Sequence, residues 1–300
     1  VTTPEQMVAL GEEGLKQHEQ GDLERALVAY QQVMGLDKEH VGAMMAAATL
    51  HTERGEYDAA EWLLKRALSI APTCYAYNTL GQIQLGRRNW DGAVNAFRAS
   101  LALDPTNLTT WPNLIFALDV HPGASPGLRF FERRLFNDLH CKPLTDAAAA
   151  HTNDPDPERK LRVGYVSGDF RQHSGAHGFG PVVFGHHRDR VEVHLYDVAQ
   201  APPADDDRVA AYFRDLPETT WHDLRGYDDA TVAASIRADE IDILVDLVGY
   251  SAGCRALAFA RKPAPLQVSG FGYATGLGID AIDYVVADDV VIPPQHEGRY

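Results

Sequence analysis

The sequence predicts two architectures in one chain, an α-solenoid followed by a doubly wound parallel α/β sheet. Three observations carry this reading. Ala26, Ala60 and Ala93 recur 34 and 33 residues apart. The chain changes character at Leu161, where an apolar run through Val166 breaks into Ser167, Gly168, Asp169, His173 and His177. Beyond it, short apolar runs alternate with helical patterns, as parallel sheets with crossover helices require.

The first part is a repeat. Tyr30, Leu64 and Phe97 stand four residues after the three alanines, and Val33, Ala67 and Ser100 stand seven after. Gly21 and Gly55 mark turns before the first two alanines, and Arg88 takes that place in the third. Gly14, Ala48 and Gly81 give each first helix a small residue. A small residue facing an alanine lets two helices approach closely, and the large residue after the alanine is expected to fill the groove against the next pair. Pro72 and Pro105 follow the second and third repeats, where proline stops a helix because it has no amide hydrogen to donate. The pattern resembles the tetratricopeptide repeat. Three repeats and a capping helix from Trp111 are expected over residues 1–120, making a groove that binds a polypeptide.

Residues 121–160 read as a helical connection and linker. Phe130 to Phe136 has helical spacing, and Asn153 to Glu158 carries two prolines among acids, which marks exposed chain.

From Leu161 onward, strands are expected at 161–166, 191–197, 241–246, 266–271 and 284–287. Helices are expected at about 178–188, 206–214, 228–238 and 253–261. Ligands bind such sheets beyond the carboxyl ends of the strands. That rule selects Ser167 to His177, Asp197, Asp246 to Tyr250 and Gly270 to Gly278.

The chemistry at these edges stays open on residues alone. His173 and His177 have the spacing of helical metal ligands but lack the intervening Glu of an HExxH site, and Gly175, Gly178 and Gly180 weaken a helix there. A structural role and proton transfer from a hydroxyl are the other readings. Asp246 could orient a hydroxyl, or accept bonds from loop amides. Asp169 reads as a loop cap, Asp205 to Asp207 as a helix cap, and Asp242 as a structural acid within its strand.

Composition narrows the partners. A net charge of −15 argues against a nucleic-acid or anionic-membrane surface, because phosphates require clustered Lys and Arg. No apolar run approaches a membrane span. Val1 to Glu5 shows neither the basic start nor the apolar core of a secretion signal. Three scattered cysteines, Cys74, Cys141 and Cys254, suit free thiols in a reducing cytoplasm.

Taken in order, the repeats, Leu161 to Phe170, the His173/His177 pair, Ile243 to Tyr250 and Arg261 to Gln267 resemble the O-GlcNAc transferase family across essentially the whole chain. The resemblance implies a GT-B fold of two Rossmann-like halves, of which residues 161–300 are the amino-terminal one. It implies inverting transfer of N-acetylglucosamine from UDP-GlcNAc to Ser or Thr hydroxyls of a polypeptide, with no metal or other cofactor. By the same resemblance His173 and Asp246 are catalytic, and His177, Asp169, Tyr250, Gly272, Tyr273 and Thr275 bind substrate. Ala274 to Gly276 depart from the family's Gly-Tyr-Pro-Gly-Thr, and Asp242 stands where animal members often carry another histidine. The donor-binding half, with a lysine facing the pyrophosphate, is expected beyond Tyr300, so these residues alone are not expected to turn over UDP-GlcNAc. The rival readings are a relative using GDP-fucose or UDP-glucose, and a non-catalytic repeat scaffold.

Overall fold

The computed structural model describes residues 4–295; the outer ends of the two expected domains, 1–3 and 296–300, lie outside the described residues. The chain forms two compact units, dividing at Pro122 and Gly123.

The first unit is three helix pairs and a seventh helix: α1 (Pro4–Glu19), α2 (Leu23–Leu36), α3 (Val41–Glu53), α4 (Tyr57–Ile70), α5 (Cys74–Gly86), α6 (Trp90–Leu103) and α7 (Thr110–Val120). Gly21 and Gly55 turn the chain at φ 78° and 72°, and Arg88 takes the same left-handed conformation at φ 59°. Asp22, Thr73 and Asn89 cap the following helices by accepting their orphan amides. Ala26, Ala60 and Ala93 are all fully buried. The aromatic residues do more than fill the groove toward the next pair. A methyl group on Gly14 would sit 2.7 Å from the Tyr30 ring, and one on Gly81 would sit 2.4 Å from the Phe97 ring. Each aromatic therefore lies on the glycine of its own pair, which explains the absent side chain there. The seventh helix packs on α6 with Trp111, Leu114, Ile115 and Leu118 buried.

The second unit opens with helix α8 (Pro126–Phe136), a π-turn at Asn137–Cys141 and a short α9 (Lys142–Asp146). Sequence reading made this segment a connection, but it is a layer of the second unit. The Thr145 hydroxyl donates to the Ala260 carbonyl, and Asn137 accepts from the Asp280 amide at 2.9 Å. The remainder alternates β1 (Leu161–Ser167), α10 (Ser174–Phe184), β2 (Val191–Asp197), α11 (Arg208–Arg214), β3 (Thr219–Asp223), α12 (Asp229–Ala238), β4 (Ile243–Asp246), α13 (Ala256–Ala260), β5 (Leu266–Gly270) and β6 (Tyr284–Val286). All pairings are parallel, in the order β3-β2-β1-β4-β5-β6. The order reverses between β1 and β4, which is the dinucleotide-fold arrangement with its crevice at the carboxyl ends of those two strands.

One face of the sheet buries Val163, Tyr165, Val193, Leu195 and Val245 against Phe179 and Val183 of α10 and Phe213 of α11. The other is covered by α12, α13 and the α8–α9 segment. Strand β3 was not expected. Helix α10 starts at Ser174 rather than 178, and its glycines are tolerated because His173 caps it and Ala176, Phe179 and Val183 bury its inner face.

Asp242 lies just ahead of β4, not inside it, and closes the amino-terminal end of the sheet. Its carboxylate accepts from Arg159, from Asn153 at 2.7 Å and from the Arg162 amide at 2.8 Å. The supposed linker is thus fastened at both Asn153 and Arg159. Burial would raise this carboxyl, but those donors, Arg159 foremost, hold it below the usual aspartate range. A depressed carboxyl stabilises the fold above its unfolded pKa of about 4, and that contribution vanishes as pH falls through the folded value. Asp242→Asn should therefore lower stability by about 2 kcal/mol near neutrality. In urea titrations at stepped pH the gap between variant and parent should close in acid; a gap independent of pH would contradict this account.

Candidate functional site

The residues selected by sequence gather at the carboxyl edge, around the reversal between β1 and β4. Strands β1, β2 and β4 each end in a residue whose side chain caps its own turn. Ser167 Oγ accepts from the Asp169 amide at 3.0 Å. Asp197 accepts from the Ala199 amide at 3.0 Å, and Asp246 from the Val248 amide at 3.0 Å. Side chains that bond the backbone two residues on shape a loop without help from secondary structure.

Asp246 carries this furthest. It is 1% exposed, and its oxygens accept from the amides of Val248 and Gly249 and, at 2.8 Å, from the Ser269 hydroxyl on β5. Burial pushes its carboxyl up, opposed by the Gly249 amide, Ser269 and the Val248 amide. Asp246 holds the loop after β4 and fastens it to β5. Tyr250 is enclosed in the same way. It is 2% exposed, and its hydroxyl donates to the Leu277 carbonyl at 2.6 Å.

The loop after β5 is built against this brace. Gly249, at φ 58°, lies so close to Tyr273 that a methyl group would sit 2.2 Å from the ring. A methyl group on Gly272 would sit 1.9 Å from the Leu247 carbonyl oxygen. Thr275 accepts from the Arg133 guanidinium at 2.7 Å, and the same guanidinium lies over the Tyr250 ring, 5.4 Å from its centroid. Gly272, Tyr273 and Thr275 are therefore together, as expected, but Thr275 and the Gly272 backbone serve the loop's own packing.

What faces solvent at this edge is a smaller set. His173 and His177, both exposed, flank the first turn of α10, and Gln172 Nε2 lies 3.5 Å from His177 Nε2. His173 Nδ1 is approached by the Gly175 amide at 3.2 Å and by Asp169 Oδ2 at 3.3 Å. It can accept the amide only with its proton on Nε2. It can donate to Asp169 only with the proton on Nδ1, which leaves Nε2 as a free base. Arg171 lies 3.7 Å from the other Asp169 oxygen. The Gln172 amide donates to Asp207, which also caps α11 through Val209 and Ala210, so the acidic triplet before that helix does cap it.

Sequence reasoning missed Arg133 and Phe271. Nothing in α8 signals a fully buried arginine whose partner lies 142 residues on. Phe271 was passed over among glycines, yet it is 42% exposed and has φ 64°, a conformation costly for a bulky side chain. Its carbonyl lies against Gly178 of α10, bringing the loops after β1 and β5 together.

The fold and edge define a repeat-bearing protein with a Rossmann-like domain whose working face lies at the strand-order reversal. The family described as glycosyl transferase family 41 matches residues 139–300, and tetratricopeptide repeats match residues 17–82 and 74–107. The chain belongs to glycosyl transferase family 41. A solved mutant of Thermobaculum terrenum O-GlcNAc transferase superposes on all of this chain and on 57% of its own, with a TM-score of 0.87 and 30% identity. The probable UDP-N-acetylglucosamine–peptide N-acetylglucosaminyltransferase SPINDLY of Arabidopsis thaliana is 34% identical over 47% of this chain and 15% of its own length. The UDP-N-acetylglucosamine–peptide N-acetylglucosaminyltransferase of Caenorhabditis elegans is 30% identical over 53% of this chain and 14% of its own. The chain thus spans well under a quarter of those two curated relatives.

The brace yields a stability test. Gly272→Ala forces the Leu247 carbonyl to move and should lower stability by about 1–3 kcal/mol. Gly127→Ala, in α8, where an added methyl group would meet only the Ser125 hydroxyl at 3.9 Å, should be neutral or slightly stabilising. Chemical unfolding of the two variants followed by circular dichroism checks this; equal midpoints would show that the loop gives way freely.

Proposed function

We propose that this chain is the repeat region and acceptor-side half of a protein O-GlcNAc transferase, which moves N-acetylglucosamine from UDP-GlcNAc to a Ser or Thr hydroxyl with inversion and without a metal. The observation that carries the reading is the superposition of the entire chain on an O-GlcNAc transferase at 30% identity. In this reading the repeats hold the polypeptide acceptor, and a second Rossmann half supplies the donor contacts. A cytoplasmic setting belongs to the same reading.

Inverting transfer needs in-line approach of the hydroxyl, a route for its proton and stabilisation of the departing phosphate. His173 is the group here suited to the second task. Asp169, by accepting the Nδ1 proton in place of the cap to Gly175, leaves Nε2 able to accept a proton, and is a positioning residue. His177 and Gln172 offer polar contacts beside it, and Phe271 and Tyr273 an aromatic border. Asp246 acts only through the loop it holds.

The test uses the complete polypeptide. With radiolabelled UDP-GlcNAc and a protein acceptor, His173→Ala should lower kcat by about 10²–10⁴-fold, far beyond the roughly 1 kcal/mol of stability that losing the α10 cap costs. Asp169→Asn should lower kcat less and alter the pH profile, because the amide no longer favours the Nδ1–H tautomer. Transfer at the parent rate by His173→Ala removes that residue from the mechanism. Transfer only from GDP-fucose or UDP-glucose would overturn the donor, and binding of no nucleotide sugar would favour a scaffold.

A further inference from the structure

Away from the carboxyl edge, on the sheet face covered by α12, five polar side chains form a continuous chain: Glu192, His194, His222, Asp239 and Tyr196. His194 is 6% exposed. Its Nδ1 faces His222 Nε2 at 3.0 Å, and its Nε2 lies 3.1 Å from Glu192 Oε1. His222 Nδ1 lies 3.6 Å from Asp239 Oδ2, which accepts the Tyr196 hydroxyl at 2.8 Å. The family chemistry at the other edge makes no use of them.

We propose that His194, His222 and Asp239 bind one Zn²⁺, with water in a fourth position. One donor atom from each lies within 4.8 Å of the others. In a tetrahedral shell with bonds of about 2.0–2.1 Å, neighbouring donors stand roughly 3.3 Å apart. The His194 Nδ1–His222 Nε2 pair then opens by a few tenths of an ångström, while Asp239, which faces the other nitrogen of His222 at 3.6 Å, swings its carboxylate in by up to about 1.5 Å. Two imidazoles and a carboxylate with one open position are a zinc-type donor set.

The surroundings fit ligands rather than a chance meeting of rings. Glu192 accepts the Nε2 proton of His194, which leaves the Nδ1 lone pair directed at the site. The Tyr196 hydroxyl orients Asp239 in the same way. A carboxylate behind a ligating histidine and a donor behind a ligating carboxylate are how proteins aim metal ligands. Tyr196 reaches this position because residue 164 is glycine; a methyl group there would sit 2.9 Å from its ring. The ion would tie the carboxyl end of α12 to β2 and β3, the side of the sheet opposite β6.

The experiment takes the full chain stripped with a chelator and dialysed, then titrated with Zn²⁺ and, separately, with Co²⁺. One Zn²⁺ per chain by elemental analysis, a higher melting temperature with metal and the ligand-field bands of four-coordinate Co²⁺ are expected. His222→Gln and Asp239→Asn should each abolish the bands. Glu192→Gln should weaken binding by roughly 10–100-fold. His187→Ala, at an exposed histidine outside the cluster, should change nothing. Substoichiometric metal, a six-coordinate Co²⁺ spectrum, or bands that survive in His222→Gln would overturn the site. Should the ligand variants not fold, stoichiometry and spectrum of the parent chain decide alone.

Discussion

A carboxylate with almost no contact with water is costly to keep, and Asp246 is kept because its surroundings replace that water with donors. Two loop amides and the Ser269 hydroxyl are aimed at it before any ligand arrives. Hydrogen bonds to an ionised oxygen are about twice as strong as neutral ones, which offsets much of the desolvation. The consequence is geometric. The chain leaving β4 must fold back over its own last residue, Gly249 must take a left-handed conformation, and β5 is held to β4 at the same level. Tyr273 then has one place to lie, against Gly249, and Gly272 one place to pass, against Leu247. The working edge is organised from a residue that never reaches it.

The second unit closes around that brace from an unexpected direction. Arg133 comes from α8, ahead of the sheet in sequence, and reaches both loops, stacking on Tyr250 and donating to Thr275. The methylenes of Arg133 also fill the space that a side chain at Gly278 would need, since a methyl group there would lie 2.8 Å from its Cδ. A long cation that spends its stem on packing and its head on hydrogen bonds suits this position, and lysine could not reproduce the planar fork. This is why α8 and α9 belong to the sheet domain and not to a linker.

The repeats and the parallel sheet were legible because each rests on periodicity. Alanine at intervals of 34 and 33 residues and apolar runs broken by turn residues leave direct traces in a sequence. Strand β3 left none that stood out: Thr219 to Asp223 is only half-buried and mixes polar with aromatic residues, although its Thr-Thr-Trp core has strand propensity. The candidate residues were found as a set, because the strand-end rule needs no knowledge of contacts. Their separate roles were not legible. An aspartate at a strand end reads the same whether it faces a cleft or bends back onto its own amides, and only the fold distinguishes Asp246 from Asp169. Arg133 was invisible for the same reason, its partners being tertiary.

Division of labour at the edge follows from this. The groups that brace the loops, Asp246, Tyr250, Arg133 and Thr275, are largely withdrawn from solvent and mutually engaged. The groups left facing outward, His173, His177, Gln172 and Phe271, stand on a frame that is already fixed. Phe271 shows how firmly: a bulky residue in the left-handed region costs on the order of 1–3 kcal/mol and persists only where its neighbours determine it. Its neighbours do so here, with Gly272 wedged against Leu247 on one side and Gly178 of α10 on the other. A reacting hydroxyl offered to such an edge meets side chains that need little reorganisation, and the proton-accepting state of His173 turns on one local choice, whether Nδ1 serves the Gly175 amide or Asp169. That choice lies at the junction of β1 and α10, where the chain first becomes a Rossmann-like sheet.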